Sequence, residues 1–228
     1  MKFPILLPNI FNHPFTYESH FKLKLGDYVI VPFGKSKITG VVWDEFEKNN
    51  KKTFKIKKVL KKLEISPLKK DTIKFLNWFS KYNLIPKGMA LKLSLISNNA
   101  IENLGEKKYG DYVVNIKDHS FELSQEQKKS LKLMKKFSNK FRVHVLQGTT
   151  GSGKTIVYFE RIRKIINKHK QALVLLPEIY LTKEFESRFE NFFGFTPAIW
   201  HSKITPKQKR IIWKGILSNK IKLVVGAR

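Results

Sequence analysis

Eight residues, GTTGSGKT at positions 148–155, constrain the fold of this chain more than any other part of its sequence. The apolar run FRVHVLQ precedes them, and the helical pattern TIVYFERIRKIINK continues from their last residue. A strand, a loop of the form G-x-x-x-x-G-K-[ST] and a helix in this order predict a phosphate-binding loop. The competing interpretation, a flexible turn rich in small residues, does not require that order.

The chemistry explains the residue types in the loop. Glycines let the backbone curl so that successive N–H groups face phosphate oxygens, and the following helix adds the positive end of its dipole. Lys154 would reach the β- and γ-phosphates of a nucleotide, and the Thr155 hydroxyl would bind Mg²⁺. The predicted nucleotide-binding residues of the loop are Gly148, Thr149, Thr150, Gly151, Ser152, Gly153, Lys154 and Thr155.

The rest of the second half alternates short apolar strands with helices. The predicted strands after the loop are ALVLLP, TPAIWH and IKLVVGA, and the predicted helices are EIYLTKEFESRFENFF and KQKRIIWKGILSN. Before the loop, LSQEQKKSLKLMKKF predicts a helix that opens at Ser124, with Gln127 as its capping-box partner. This alternation predicts a parallel sheet covered by helices on both faces.

The first hundred residues follow a different pattern. Two β-rich runs, DYVIVPF and ITGVVWD, are joined by GKSK, which has the length of a hairpin connection, and KIKKVLKKLE predicts a further strand. DTIKFLNWFSKYNL then places Ile73, Leu76, Phe79 and Tyr82 at helical spacing, with Asp71 as the predicted N-cap. A small β-rich domain closed by a helix is expected.

Residues 98–120 separate the two halves. They carry Asn, Gly and charge without a sustained period, which predicts a linker with one short strand, DYVVNI. The predicted fold class is therefore α/β. A β-rich N-terminal domain (1–97) and a linker (98–120) precede an incomplete phosphate-loop domain with a parallel sheet (121–228).

The charge and composition of the chain limit the kinds of partner that it could bind. The net charge of +27 points to a polyanion such as nucleic acid, although the abundance of Lys, Ile, Asn and Phe also fits the bias of an AT-rich genome. The chain has no cysteine, which excludes disulfides and thiolate metal sites. The N-terminal run MKFPILLPNIFNHPF is broken by prolines, and no apolar stretch approaches the length of a membrane span. A cytoplasmic protein without a membrane partner is expected.

A phosphate-binding loop alone does not define a task, because kinases, GTPases, transporters and helicases share it. Further runs resemble the primosomal protein N′ (PriA) family of superfamily-two helicases. In family order, LSQEQ resembles L-x-x-E-Q, LVLLPEIYLT resembles L-V-P-E-I-x-L-T, WHS resembles L-H-S, and VVGAR resembles V-x-G-T-R. In the first half, FTY, VPFGK, ITGVV and FKIKKVL resemble the domain that binds the 3′ end of a DNA strand.

The resemblance implies roles for residues of the second half. Lys154 and Thr155 would be catalytic, and Gln127 would contact the adenine of ATP, with a helix cap as its alternative role. Pro177, Glu178, Leu181 and Thr182 would touch the backbone of single-stranded DNA, unless they form an ordinary turn between strand and helix. His201 and Ser202 would be a further DNA or coupling element or a polar loop, and Arg228 would contact phosphate.

In the first half, the resemblance assigns Phe15, Tyr17, Gly34 and Lys57 to the 3′-terminal nucleotide. An aromatic ring there would stack on a base, and Gly34 would permit close approach of the backbone. Core packing is the alternative for Phe15 and Tyr17. The family has F-D-Y where this chain has Thr16 between the two rings, so a carboxylate that accepts from a 3′-hydroxyl is replaced. Ala227 similarly replaces a threonine of the family.

The resemblance implies an ATP-dependent 3′→5′ DNA helicase of replication restart. Its partners would be forked or single-stranded DNA with a 3′ end, primosome proteins and single-strand-binding protein. The sequence stops before the D-E-E-H segment, the second motor lobe and the zinc domain, so an N-terminal fragment that binds DNA and nucleotide but lacks efficient hydrolysis is expected. Zinc would belong to the remaining part. The alternatives are another superfamily-two translocase and a non-catalytic DNA-binding adaptor.

Overall fold

The computed structural model describes residues 1–46, 56–95, 122–136, 141–177 and 183–227. The chain divides into two compact units, Met1–Lys107 and Lys108–Arg228. The strand expected at DYVVNI lies outside the described residues. Within the described ranges, every helix is too short or too polar to cross a lipid bilayer.

The first unit is built on a five-stranded antiparallel sheet with the order β2–β1–β4–β3–β5. Its hydrogen bonds continue beyond β2, where the Glu18 amide donates to the Lys57 carbonyl (3.0 Å) and the Val59 amide donates to the Glu18 carbonyl (2.8 Å). The sheet therefore curls into a small barrel. Its strands are β1 (Lys2–Leu6), β2 (Phe15–Glu18), β3 (Tyr28–Phe33), β4 (Ser36–Val42) and β5 (Lys61–Lys62).

The predicted hairpin is confirmed, with β3 and β4 paired from Tyr28–Val41 to Phe33–Ser36. Gly34 opens its two-residue turn at φ +58°, the left-handed backbone that tight hairpin turns require and glycine adopts without strain. Alternate side chains of these strands point into the barrel, so the apolar core residues recur at every second position of the sequence. Its buried members are Ile5, Leu7, Tyr17, Val29, Val31, Val42 and Val59.

Two helices, α1 (Lys70–Tyr82) and α2 (Lys87–Ser94), accompany the barrel. The helix is confirmed, but two details of the sequence prediction are wrong. Lys69 is the N-cap and Asp71 lies inside the first turn. The buried face runs through Ile73, Leu76 and Ser80, whereas Tyr82 is 74% exposed.

The second unit holds a three-stranded parallel sheet in which β8 lies between β6 and β7. The strands are β6 (Ala172–Leu176), β7 (Ala198–Trp200) and β8 (Leu223–Ala227), and the helices are α3 (Gln125–Lys136), α4 (Lys154–Ile166), α5 (Lys183–Phe193) and α6 (Pro206–Leu217). The phenylalanines of α4 and α5 pack with Leu223, and Ile212 and Ile216 of α6 pack with Ile221 and Val224. Because Leu223 and Val224 are neighbours on β8, these two cores lie on opposite faces, as predicted.

The strand predicted at FRVHVLQ is wrong. Residues 141–149 have no regular secondary structure, and Phe141, Val143 and Val145 are 93%, 78% and 88% exposed. Alternate apolar residues favour a strand, but a strand also needs a neighbour for its backbone N–H and C=O groups. No strand in the described part of the chain pairs with this segment, and Leu173 and Leu175 on β6 are also exposed (64% and 60%).

Candidate nucleotide and DNA sites

The loop predicted to bind phosphate curls at two glycines. Gly151 has φ +82° and Gly153 has φ +77°, and α4 begins immediately after them at Lys154. The N-cap of α4 is Gly153, so the cap residue has no side chain with which to cover the first backbone N–H groups of the helix. A left-handed turn at the positive end of a helix dipole suits an anion.

The Lys154 ammonium reaches across the loop. Its Nζ donates to the carbonyls of Gly148 (2.7 Å) and Thr149 (2.6 Å), which fixes a positive charge beside the start of the loop. Thr155 follows in the first turn of α4 and is partly buried. An open cleft of about 970 Å³ adjoins the loop and has Ser187 and Arg188 of α5 on its other wall. These groups would suit a triphosphate, and the Thr155 hydroxyl would be the loop's ligand for a Mg²⁺ ion.

Gln127 caps helix α3 and also lies beside the predicted phosphate-binding loop. The Gln127 Oε1 accepts from the backbone amide of Ser124 (2.9 Å), and the backbone amide of Gln127 donates to the Ser124 hydroxyl (3.2 Å). The predicted capping box is therefore confirmed. The Gln127 Nε2 also lies so close to Gly153 that a Cβ there would collide with it. The cap therefore holds the carboxamide at the edge of the loop, where a nucleotide base would be contacted.

The residues assigned to single-stranded DNA follow the parallel strands. Pro177 is exposed directly after β6, and His201 follows β7. The register pairs Leu176 with Ala227 and Trp200 with Gly226, so all three strands end at one edge of the sheet. His201 Nδ1 accepts from the Lys203 amide (3.1 Å), as in a polar turn. Glu178, Leu181, Thr182 and Arg228 lie outside the described residues.

In the first unit, Phe15 belongs to a cluster of aromatic rings at the start of β2. Its ring centroid lies 4.8 Å from that of His13, 5.2 Å from Phe11 and 5.3 Å from Phe33. Phe11 is 37% exposed, and Phe15 and Phe33 are partly buried. Sequence reasoning missed Phe11, His13 and Phe33. The aromatic density of FNHPF, and the position of Phe33 directly before the predicted turn glycine, were the available signals.

Tyr17 is a core residue in the structure. It is only 4% exposed, and its hydroxyl donates to the Pro32 carbonyl (3.2 Å). Burial raises the pKa of the Tyr17 hydroxyl to about 12, because the interior disfavours the phenolate. The expectation that this ring stacks on a base is therefore corrected, and core packing is what the structure shows.

Gly34 and Lys57 are both exposed on the first unit. Gly34 follows Phe33 directly, and nothing lies within 4 Å of the position that a Cβ on it would take. Lys57 is exposed, and its carbonyl accepts from the amide of Glu18. Thr16 pairs with Pro4 and, because side chains alternate along a strand, points away from the face that carries Phe15 and Tyr17.

Comparison with known proteins finds a family match in each unit. Residues 4–95 match the 3′ DNA-binding domain (3′BD) of PriA, and residues 120–227 match the type III restriction enzyme, res subunit. Replication restart protein PriA of Rickettsia conorii is 35% identical over 98% of the chain, and that of Rickettsia felis is 37% identical over 98%. PriA of Helicobacter pylori is 31% identical over 94%. The chain belongs to the PriA family.

The chain spans about a third of the length of these PriA proteins, namely 34%, 34% and 32% respectively. The order of a 3′ DNA-binding domain and a helicase-like domain is the PriA order that the sequence predicted. A match to a restriction-enzyme motor in the second half alone would leave a restriction translocase open, but the first half matches PriA specifically. Helicase-like domains of this kind use a nucleotide with Mg²⁺, for which the loop at 148–155 has the residues.

Proposed function

We propose that the chain binds the 3′ end of a DNA strand through its first unit, and ATP with Mg²⁺ through residues 148–155. It is the front part of an ATP-dependent 3′→5′ DNA helicase of replication restart. The observation that carries this proposal is the left-handed turn at Gly151 and Gly153, which leads into α4 with the Lys154 ammonium held across the loop.

The proposed site for the 3′-terminal nucleotide consists of Phe15, Gly34 and Lys57. A base would stack on the edge of the cluster that Phe15 forms with Phe11 and Phe33, since aromatic faces accept any base. The turn at Gly34 offers backbone without a side chain, and the exposed Lys57 offers a charge for the terminal phosphate. Thr16 points away from this cluster, so selectivity for a free 3′-hydroxyl would rest on backbone groups.

We expect these 228 residues to bind nucleotide but to hydrolyse it slowly. A second cation at the γ-phosphate, an arginine finger, is worth about 10³- to 10⁵-fold in turnover where it has been measured. The loop itself offers one cation, Lys154. DNA-stimulated turnover by the chain alone would contradict this expectation. By family, the further partners proposed are primosome proteins and single-strand-binding protein in the cytoplasm.

Titration calorimetry with Mg·ATP tests the nucleotide half of the proposal. Lys154→Ala should weaken binding by roughly 10- to 100-fold, because a charge-assisted hydrogen bond to phosphate is lost. Lys168→Ala, which removes an exposed lysine beyond the end of α4, is the matched control and should leave the affinity unchanged. Equal affinities for the wild type and Lys154→Ala would refute the role of the loop.

DNA binding by the same variants separates a helicase part from an adaptor. If Lys154→Ala abolishes nucleotide binding but leaves oligonucleotide affinity intact, the two units bind their ligands independently. If the wild type binds DNA but no nucleotide, the adaptor interpretation is correct. Affinity for DNA should also fall steeply with salt, because the lysines displace condensed counterions.

A further inference from the structure

Helix α1 carries a row of exposed aromatic rings that the proposed function does not use. Phe75, Trp78 and Tyr82 are 52%, 54% and 74% exposed and follow one another at spacings of three and four residues. The Phe75 and Trp78 centroids are 5.9 Å apart, and Trp78 stacks on Tyr82 at 5.1 Å with an interplanar angle of 23°. These three residues form an aromatic ridge.

Packing within the unit does not explain the aromatic ridge. The opposite face of α1, with Ile73, Leu76 and Ser80, is the buried one. Rings of this size bury about 150–250 Å² each when covered, so the ridge leaves on the order of 300 Å² of aromatic surface in water. That is similar to the largest apolar patch of an ordinary monomer, and such patches are commonly functional.

Positive charge borders the aromatic ridge. Lys74 lies one helical turn before Trp78, and Lys81 lies one turn after it. Both lysines are exposed. The only acidic residue of α1 is Asp71, in the first turn. Stacking surfaces bordered by cations are the usual means by which proteins bind single-stranded nucleic acid without sequence preference.

We propose that the aromatic ridge stacks bases of single-stranded DNA whose 3′ end lies at Phe15, Gly34 and Lys57. A base on the outer face of Tyr82 extends the Trp78–Tyr82 stack by one further ring. Lys74 and Lys81 bind the adjoining phosphates. This inference rests on the proposed function of the 3′-end site. A second copy of the chain is a poor occupant of this surface, because two chains of net charge +27 repel one another.

The fold connects the two surfaces in two ways. Strand β4 begins beside the Gly34 turn and ends before Trp43, whose Nε1 donates to Asn77 of α1 (3.3 Å). The seven residues of β4 span about 20 Å. Single-stranded DNA therefore needs several nucleotides to reach from the Gly34 turn to the aromatic ridge. On the other side, the Gly88 amide of α2 donates to the Phe11 carbonyl (3.0 Å), and α2 follows α1 in the chain.

Oligonucleotide length tests this arrangement in the whole 228-residue chain. Fluorescence anisotropy would compare oligothymidines of about 3 and about 15 nucleotides, labelled at the 5′ end, because the shorter one reaches only the 3′-end site. Trp78→Ala and Tyr82→Ala should each weaken binding of the longer strand by roughly 5- to 100-fold and leave the shorter one unchanged. Phe15→Ala should weaken both.

Two controls distinguish stacking from other effects. Trp78→Phe keeps an aromatic face and should restore most of the lost affinity. Leu93→Ala removes an exposed apolar side chain of α2 (72% exposed) that has no ring, and it should leave both affinities unchanged. Thermal melts establish that all variants are folded.

Unchanged affinity of Trp78→Ala and Tyr82→Ala for the longer strand would overturn the inference and indicate that the ridge docks a protein. This result leaves the 3′-end site intact if the short strand still binds and depends on Phe15. If the wild type does not bind the short oligothymidine, the 3′-end site is refuted instead. The response of the longer strand to the ridge variants is then the separate test of the aromatic ridge.

Discussion

The carboxamide of Gln127 lies against the α-carbon of Gly153, in the space that a side chain on residue 153 would fill. Gly153 also has φ +77°, where an L-residue is strained by about 1–2 kcal/mol. We therefore expect Gly153→Ala to destabilise the second unit by more than this strain alone, because the Gln127 cap must move as well. Urea unfolding measures the loss, and calorimetry should show weaker binding of Mg·ATP.

Gly151→Ala is the matched control for that substitution. Gly151 has a similar φ of +82°, but nothing lies within 4 Å of the position of its Cβ. Its replacement should cost only the backbone strain. Equal destabilisation by the two variants would mean that the contact with Gln127 has no energetic weight.

The sequence predicted this part of the structure well because its signals are local. A capping box pairs residues that are three positions apart, and a G-x-x-x-x-G-K-[ST] loop spans eight consecutive residues. Ser124, Gln127 and Lys154 could therefore be assigned to these motifs from their spacing alone. The contact between Gln127 and Gly153 spans 26 positions of sequence. No local pattern predicts such a contact, although the PriA resemblance pointed to the nucleotide role of Gln127.

Gly88 at the start of α2 is a second glycine that only its surroundings explain. A Cβ on it would collide with the carbonyl of Asn9 and lie 2.5 Å from that of Leu7 and 2.9 Å from that of Phe11. Gly88→Ala should therefore push α2 away from the loop that holds the aromatic cluster. We expect a loss of roughly 1–3 kcal/mol in the free energy of unfolding, as for other overpacked sites.

The same substitution should weaken binding of a short oligothymidine, since Phe11 is carried by the displaced loop. Leu93→Ala is the control, because it changes an exposed side chain of the same helix. If Gly88→Ala binds the oligonucleotide as tightly as the wild type, the position of the loop at Phe11 does not matter for the site.

Where sequence reasoning failed, the missing information was tertiary. FRVHVLQ has the alternation of a strand, yet Val143 and Val145 remain exposed because no described strand lies beside them. Tyr17 matched a DNA-binding motif, but its ring packs in the core of the barrel. Tyr82 is the exception. It continued the three-residue spacing of Ile73 and Leu76, but steps of three fall short of the 3.6 residues of a helical turn, so Tyr82 lies on the exposed face of α1. Strand pairing and barrel closure cannot be predicted from local periodicity.

Burial of Tyr17 has a consequence for stability at alkaline pH. Its pKa is raised to about 12 in the folded chain, and that of the buried Tyr28 is raised to about 12 by the same desolvation. Between about pH 10 and pH 12 the unfolded chain loses these protons while the folded chain keeps them, so stability falls as pH rises. Each tyrosine should contribute a slope of at most about 1.4 kcal/mol per pH unit.

Urea unfolding at several pH values measures that slope. Tyr17→Phe should remove the Tyr17 share of it, while costing about 1 kcal/mol at neutral pH for the lost hydrogen bond to Pro32. Tyr82→Phe changes an exposed tyrosine and serves as the control. A slope that is unaltered in Tyr17→Phe would show that the phenol is not protected from water.

The start of α6 offers a test of a single cap. Thr205 precedes Pro206, its hydroxyl accepts from the Gln208 amide (3.2 Å), and the Gln208 side chain accepts from the Thr205 amide (3.0 Å). Thr205→Ala leaves the Gln208 backbone amide without its side-chain acceptor and should destabilise the second unit by about 1 kcal/mol. Thr205→Ser keeps the hydroxyl and should be close to neutral. Because α6 packs on β8 through Ile212, the loss should appear in the cooperative unfolding transition rather than as local fraying. Amide exchange confined to residues 206–209, with no change in the urea midpoint, would contradict that coupling.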